Sequence, residues 1–360
     1  MRVFSNGGRY EGGFIDGELG GEGVMVFPNG TEYVGEWCQG KFHGQGSLRD
    51  VSGDRYDGQF FFGVPYGLGI HCYADGGMYE GEFISNSHAD EEEEKKGGFI
   101  EEEDAFPKPT GKREGFGVRK FVSGNEYSGA WKNDEMTGKG TLTKREGGKY
   151  EGDFINGVRE GEGSETWGNE LGIQYECPVG RKHPGRGFCS YEGDYHINDF
   201  HGKGKFVCQD GRWYEGDWEN GMRHGVGTQL YALPRDMGDE QQFHIGKGGS
   251  LYSSWKYEGE WCDNKREGAG VLFYVNQDVV IGNFVRGHPE GECIILIRGI
   301  TERLAWYECG QRACWLEDDY KEYEEDEILY NEFGEVVERE RNQPDIIAKE
   351  YLKRFLLRRK

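Results

Sequence analysis

Tyrosine recurs at a fixed spacing along most of this chain, and that spacing constrains the fold more than any other feature of the sequence. Within each of four groups the successive units are 23 residues apart: Tyr10, Tyr33, Tyr56 and Tyr79; Tyr127 and Tyr150; Tyr191 and Tyr214; Tyr257 and Val280. In the last of these units, Val280 replaces the tyrosine. The gaps between the groups are 48, 41 and 43 residues, so three insertions interrupt ten units. A short fixed period is the signature of a repeat architecture.

Each unit carries the same pattern around its tyrosine. Glycine follows two positions later and an aromatic residue two positions after that, as in Tyr33, Gly35 and Trp37. Such alternation predicts a β-strand with aromatic, glycine and aromatic on one face. A Gly-x-Gly pair, such as Gly44 and Gly46, opens a second strand that ends at a polar turn. One repeat is therefore predicted to be one β-hairpin.

Glycine normally weakens a strand, so its recurrence needs a physical cause. A large ring on one strand can lie over a neighbouring residue when that residue has no side chain. We therefore predict that the glycines make room for the rings. The carboxylates between these positions, such as Glu151 and Asp153, point the other way by alternation and predict an acidic opposite face. We interpret that face as solvated in preference to a weak divalent-ion site.

This pattern resembles the MORN repeats (membrane occupation and recognition nexus), whose consensus is close to Tyr-x-Gly-x-Trp-x-x-Gly-x-x-x-Gly-x-Gly. The resemblance covers about 80% of the chain. It implies an elongated, twisted, single-layer antiparallel sheet of tandem hairpins with an aromatic-lined groove. It also implies a cytoskeletal setting, since MORN-only proteins recur in cilia, flagella, radial spoke heads and basal bodies.

The leading functional hypothesis is a non-enzymatic scaffold that binds partner segments in the groove. The candidate groove residues are Tyr33, Trp37, Tyr56, Trp131, Tyr214, Trp218, Tyr257 and Trp261. Apolar groups of a partner would pack on these rings, and rim carboxylates would select basic residues. Other proteins with helical or basic segments, or a second copy of this chain, are the expected partners.

Composition agrees with a thin but ordered fold. Of 360 residues only 35% are hydrophobic and 62 are glycine, whereas aromatics reach 14%, which is high for a disordered chain. The net charge of -23 opposes binding to nucleic acid or anionic lipid. The N-terminus lacks a signal-like segment and no apolar run approaches the length of a membrane span, so we expect a cytoplasmic, cytoskeleton-associated protein with free thiols.

The repeat sheet is predicted to span residues 1–316, with insertions at about 85–113, 164–190 and 228–256. An acidic linker at 317–343 and an amphipathic basic helix at 344–360 follow. Ile347, Tyr351, Leu352 and Phe355 are the predicted contact residues of that helix. Three alternatives stay open: the helix docks on its own sheet, packs against a partner or second copy, or touches a membrane.

The sequence offers no catalytic, metal or cofactor signature. His43, His201 and His224 all stand ten residues after a tyrosine and are interpreted as hairpin turn positions. His183 lies between Cys177 and Cys189 without zinc-site spacing, and Gly246-Lys247-Gly248 is not a Walker loop. We therefore predict no enzyme, no cofactor and no metal. The rival hypothesis is a peripheral membrane adaptor that binds phosphoinositides, for which only the C-terminal helix offers basic residues.

Overall fold

The computed structural model describes residues 1–84, 111–167, 176–177, 181–182, 189–209, 211–231, 254–274, 276–297 and 301–315. These residues form strands and turns, and none of them lies in a helix, which confirms the all-β prediction. The predicted linker at 317–343 and the predicted helix, with Ile347, Tyr351, Leu352 and Phe355, lie outside the described residues. The chain divides into two compact units, Met1–Thr166 and Trp167–Lys360.

The first unit is a succession of antiparallel hairpins, and each of its strands from β1 to β11 pairs with the next one along the chain. Its strands are β1 (Arg2–Val3), β2 (Arg9–Ile15), β3 (Glu18–Val26), β4 (Glu32–Cys38), β5 (Lys41–Arg49), β6 (Arg55–Phe61), β7 (Val64–Cys72), β8 (Met78–Ile84), β9 (Lys112–Lys120), β10 (Glu126–Lys132), β11 (Glu135–Thr143), β12 (Gly148–Ile155) and β13 (Val158–Trp167), whose last residue opens the second unit.

The second unit repeats this arrangement, with sequential antiparallel pairing from β16 to β25. Its strands are β14 (Glu176–Cys177) and β15 (Arg181–Lys182), which pair with each other, then β16 (Cys189–His196), β17 (Asp199–Cys208), β18 (Trp213–Glu219), β19 (Met222–Leu230), β20 (Ser254–Cys262), β21 (Lys265–Tyr274), β22 (Val279–Val285), β23 (His288–Ile297), β24 (Thr301–Glu308) and β25 (Gln311–Trp315).

The register places glycine opposite glycine under each tyrosine ring. Gly216 pairs with Gly227 across β18 and β19, and a Cβ atom added to Gly227 would lie 2.5 Å from Cζ of Tyr214. No side chain fits there, since real Cβ atoms do not approach other atoms so closely. Gly35 and Gly46 have the same relationship to Tyr33. The prediction that glycines make room for rings is confirmed.

Within each compact unit, a left-handed turn residue links most hairpins to the preceding one. The backbone N–H of Gly40 donates to the carbonyl of Leu19 at 3.0 Å, and that of Asn264 donates to the carbonyl of Arg223 at 3.0 Å. Gly40 has φ of 72°, and Asp134 and Asn264 take nearly the same value, 71° and 67°. Asn and Asp therefore replace glycine here without changing the backbone, as their tolerance of this conformation predicts.

Candidate functional site: the two faces of the repeats

Within each compact unit, the aromatic rings of successive repeats form a continuous edge-to-face array. Tyr214 packs perpendicular to Trp218 of its own strand at 5.0 Å between centroids, and to Trp261 of the next repeat at 5.5 Å. Tyr33 does the same with Trp37 at 5.1 Å and Phe60 at 5.3 Å. Such T-shaped contacts are the favoured geometry of aromatic pairs. Within each compact unit, such contacts join a tyrosine's own repeat to the following one.

Backbone oxygens satisfy the polar atoms of these rings. The hydroxyl of Tyr214 donates to the carbonyl of Asp217 at 2.8 Å, and the tyrosines of the other repeats donate to the equivalent carbonyl. The indole Nε1 of Trp261 donates to the carbonyl of Gly227 in the preceding repeat at 3.1 Å. Buried polar groups are tolerated when they are hydrogen-bonded in this way.

A side chain nine positions after the tyrosine covers the ring face. Phe42 stacks on Tyr33 with centroids 3.9 Å apart, and Phe200 stacks on Tyr191 at 3.8 Å. In another repeat the guanidinium of Arg223 occupies this place, 4.4 Å from the ring of Trp261. We call this position the lid position. Sequence reasoning missed it, although most units carry a Phe, Arg, Leu, Met or Pro there.

The structure corrects the expected exposure of the groove residues. Their side chains are between 0% and 4% exposed, because neighbouring rings and lid residues cover them. This holds for all eight: Tyr33, Trp37, Tyr56, Trp131, Tyr214, Trp218, Tyr257 and Trp261. Their binding of a partner stays a prediction, but the rings offer a partner very little surface. They are the core of the repeats.

Burial also changes the acidity of the tyrosines. Loss of solvation raises the pKa of Tyr127 and Tyr150 to about 12. It raises the pKa of Tyr33, Tyr214 and Tyr257 further still. The neutral hydroxyl is therefore the form that the fold requires.

Side-chain oxygens on the opposite face, which we call the back face, have a structural role. The ladder shifts register after Gly216, and Gly225 in the bulge has φ of 56°. An Asp217 oxygen accepts the N–H of Val226 beside this bulge at 2.8 Å, and Glu36 accepts the N–H of Gln45 at 2.9 Å. These carboxylates cap bulges as well as facing solvent.

Exposed apolar side chains cluster on the back face of the first unit. We define the back-face patch as Tyr66, Leu68 and Ile70 of β7 with Phe116 of β9. Tyr66 is 48%, Leu68 64% and Phe116 59% exposed. Between the two strands lies Glu82, which is opposite Leu68 in the register and accepts the N–H of Phe116. Exposed apolar side chains gathered on one face in this way mark interaction sites.

The back face near the end of the second unit is apolar but buried. Val271, Phe273, Val279, Ile281, Ile294 and Leu296 form one cluster there. Partly buried Trp255 and Leu304 pack against it. This cluster adds to the core of the second unit, whereas the back-face patch of the first unit is open to solvent.

These features define a β-hairpin repeat protein in which nine repeats place a tyrosine ring over a pair of glycines. The MORN repeat family model matches residues 10–32, 33–55, 56–78, 111–126, 127–149, 150–171, 191–211, 214–232 and 257–279. The matched segments cover more than half of the chain, and the chain belongs to the MORN repeat family. MORN repeats are a non-enzymatic module for protein or membrane interaction. No helix among the described residues is long and apolar enough to cross a bilayer.

Similar proteins share parts of this repeat region. MORN repeat-containing protein 3 of Xenopus laevis is 32% identical over 92 residues, covering 24% of this chain and 32% of that protein. ALS2 C-terminal-like protein of Bos taurus is 32% identical over 106 residues, covering 29% of this chain and 10% of that protein. Alsin of Rattus norvegicus is 27% identical over 155 residues, covering 41% of this chain and 9% of that protein. The chain thus spans a third or less of these relatives.

Proposed function

We propose that the protein is a non-enzymatic scaffold that binds partner proteins, and that it works in a ciliary or flagellar cytoskeletal assembly of the radial-spoke kind. The observation that carries the binding proposal is the back-face patch. Leu68 and Phe116 are mostly exposed while the rings on the other face are buried. Burying a large apolar side chain of this sort contributes about 1.5–3 kcal/mol.

The charge around the patch defines the partner's chemistry. Glu80 and Glu82 of β8 are exposed and lie between the apolar residues of β7 and β9. Asp57 faces Ile70 on the other side. A partner segment that combines apolar side chains with Lys or Arg would meet both kinds of surface. Carboxylates between apolar contacts favour the choice of such a partner over an acidic one.

The cytoskeletal part of the proposal rests on family resemblance. Proteins built mostly of MORN repeats recur in cytoskeletal assemblies, and most of this chain is repeat. A fold alone does not determine a function, so this placement needs its own test. Tagged full-length protein expressed in ciliated cells is expected on the axoneme or basal body. A diffuse signal or a membrane signal would contradict it.

Binding can be tested with purified full-length chain as bait in an extract of ciliated cells. The variant with Leu68→Asp and Phe116→Asp places two charges in the patch, and we expect it to lose at least about 90% of the captured cytoskeletal proteins. The control variant carries Val122→Asp and Ile155→Asp, which change two other exposed apolar residues of the first unit. Equal capture by both variants would exclude the patch as the binding surface.

Flotation with phosphoinositide-containing liposomes separates this proposal from the membrane adaptor. The net charge of -23 predicts that the protein stays with the unbound fraction. If the wild-type chain floats with the liposomes and the Leu68→Asp and Phe116→Asp variant does not, the patch is a membrane-binding surface instead.

A further inference from the structure

Three metal-ligating side chains meet where β19 and β20 adjoin in the second unit. A nitrogen of His224, the sulfur of Cys262 and an oxygen of Asp263 lie within 4.8 Å of one another. The register explains the meeting: Gly225 pairs with Trp261, so His224 stands opposite Cys262. Sequence spacing could not reveal this group, since 38 positions separate the histidine from the cysteine.

His224 is arranged as a metal-ligating histidine usually is. Its Nδ1 atom is shielded from solvent, has no hydrogen-bond partner among the described residues and lies 3.7 Å from Asp263 Oδ1. On the other side of the ring, Nε2 lies 3.4 Å from Glu219 Oε2. Ligating histidines typically give their second N–H to a carboxylate, which fixes the tautomer and leaves the first nitrogen available.

We propose that His224, Cys262 and Asp263 bind a divalent transition-metal ion of the zinc type, with Glu219 as the residue that orients His224. Nitrogen, thiolate and carboxylate are all zinc ligands, and water completes a tetrahedral site. Ligand atoms in such a site are about 3.3–3.6 Å apart, given bond lengths of about 2.0–2.3 Å. Separations of up to 4.8 Å between the ligand atoms would shorten by up to about 1.2 Å to reach that geometry. The Cys262 thiol loses its proton on binding.

The chain contains its own comparison sites. His43 occupies the same position of its repeat and also has an unpartnered Nδ1, but its neighbours are the rings of Phe61 and Phe62. Cys38 occupies the position of Cys262 in its repeat, but Gly20 stands where His224 would be. An unpartnered Nδ1 therefore belongs to the repeat position, whereas the ligand set belongs to this pair of strands.

The bound ion would connect two neighbouring repeats. His224 belongs to the hairpin of β18 and β19, while Cys262 and Asp263 belong to the hairpin of β20 and β21. Residues 231–253 separate β19 from β20 in the chain. A metal ion that binds only the folded form stabilises it in proportion to its affinity and concentration. The ion would thus fasten the two hairpins on either side of this insertion.

Cobalt is the direct probe of this site. Chelator-treated full-length protein is titrated with Co²⁺, and we expect one equivalent to bind with a thiolate-to-cobalt charge-transfer band that Zn²⁺ abolishes. Cys262→Ser should remove the band, and Asp263→Asn and His224→Gln should weaken binding at least about tenfold. Glu219→Gln should weaken binding by about tenfold while keeping the band.

The matched controls are Cys38→Ser and His43→Gln, which should bind cobalt as the wild-type chain does. The altered side chains other than His43 and His224 lie at strand ends or turns, and circular dichroism checks that each variant is folded. No stoichiometric binding by the wild-type chain would overturn the proposal. So would a band that survives Cys262→Ser or disappears in Cys38→Ser.

Discussion

The tyrosine of each repeat combines three structural roles in one side chain. Its ring lies over two glycines, its edges meet the aromatic residues of two repeats, and its hydroxyl donates to a carbonyl three residues on, as Tyr214 shows. A phenylalanine would lose the hydrogen bond, and an added methyl group on either glycine would displace the ring. Ring packing and the hydroxyl hydrogen bond together explain why tyrosine recurs at this position.

Gly227→Ala tests the requirement for glycine at the residue scale. The added Cβ would lie 2.5 Å from Cζ of Tyr214, a contact that the buried ring cannot relieve without moving its neighbours. Overpacking of this kind costs about 1–3 kcal/mol, and we expect the upper part of that range in urea denaturation. Val226→Ala, one position away and 61% exposed, is the control and should change stability by less than about 0.5 kcal/mol. Equal losses of stability in the two variants would contradict the requirement for glycine under the Tyr214 ring.

Trp261 tests whether the ring face is core or binding surface. Trp261→Ala should destabilise the chain by about 3–5 kcal/mol, because it removes a buried ring and leaves the carbonyl of Gly227 without its donor. Trp261→Phe should cost much less, since Phe60 and Phe284 occupy the same position in other repeats. Thermal unfolding measures both. A stable Trp261→Ala variant that only loses partners would favour the groove hypothesis instead.

Sequence reasoning predicted the ring–glycine relationship but not the burial of the rings. Alternation shows which residues share a strand face, and the order Tyr33, Gly35, Trp37 places the glycine between two rings on one face. Coverage depends on Phe42, which comes from the next strand and whose contact is visible only after the register is known. The lid position varies between Phe, Arg and Leu, so no single residue type marks it.

At the scale of the hairpin, the β-bulge is the feature that sequence alternation hides. The register shift after Gly216 leaves the Val226 N–H to be capped by Asp217. Asp, Glu, Gln or Asn stands in this position in most repeats, and the sequence interpretation of it as a solvated acidic face left out this cap. The proximity of His224 and Cys262 was not predicted from the sequence either, because it depends on the pairing register of β19 and β20.

Asp217 makes this cap sensitive to acid. Burial alone would raise its pKa, but Lys203 and the N–H of Val226 outweigh burial and lower it. A carboxyl group with a lower pKa in the folded chain stabilises the fold fully at pH values above its pKa in the unfolded chain. That contribution is lost as the pH falls through its pKa in the folded chain. We therefore expect Asp217→Asn to lower stability by about 1 kcal/mol at pH 6 and to flatten its fall toward pH 2.

Urea denaturation at several pH values measures this difference. Glu22→Gln, which also removes one negative charge from an exposed strand position, is the control and should keep the wild-type slope. An unchanged slope in Asp217→Asn would show that the cap is not coupled to the charge of the carboxylate.

At the scale of the whole molecule, the tyrosines predict cooperative loss of structure in alkali. Burial raises the pKa of Tyr127 and Tyr150 from 10.0 to about 12. The folded chain therefore holds these protons more tightly than the unfolded chain, so stability is complete below about pH 10 and falls as the pH rises above it. Tyrosinate absorbance and circular dichroism should change together between about pH 10 and 12. Gradual tyrosine ionisation without unfolding would contradict the burial of these rings.

Hydroxyl-radical footprinting of the native full-length chain tests the assignment of the two faces most directly. Tyr56 and Tyr66 lie in the same hairpin and have the same chemistry, yet Tyr56 is buried on the ring face and Tyr66 is 48% exposed in the back-face patch. We predict rapid oxidation of Tyr66 and Phe116, little oxidation of Tyr56, Trp218 and Trp261, and protection of Tyr66 and Phe116 when a partner is bound. Rapid oxidation of Tyr56 and the tryptophans, with partner protection confined to them, would contradict it.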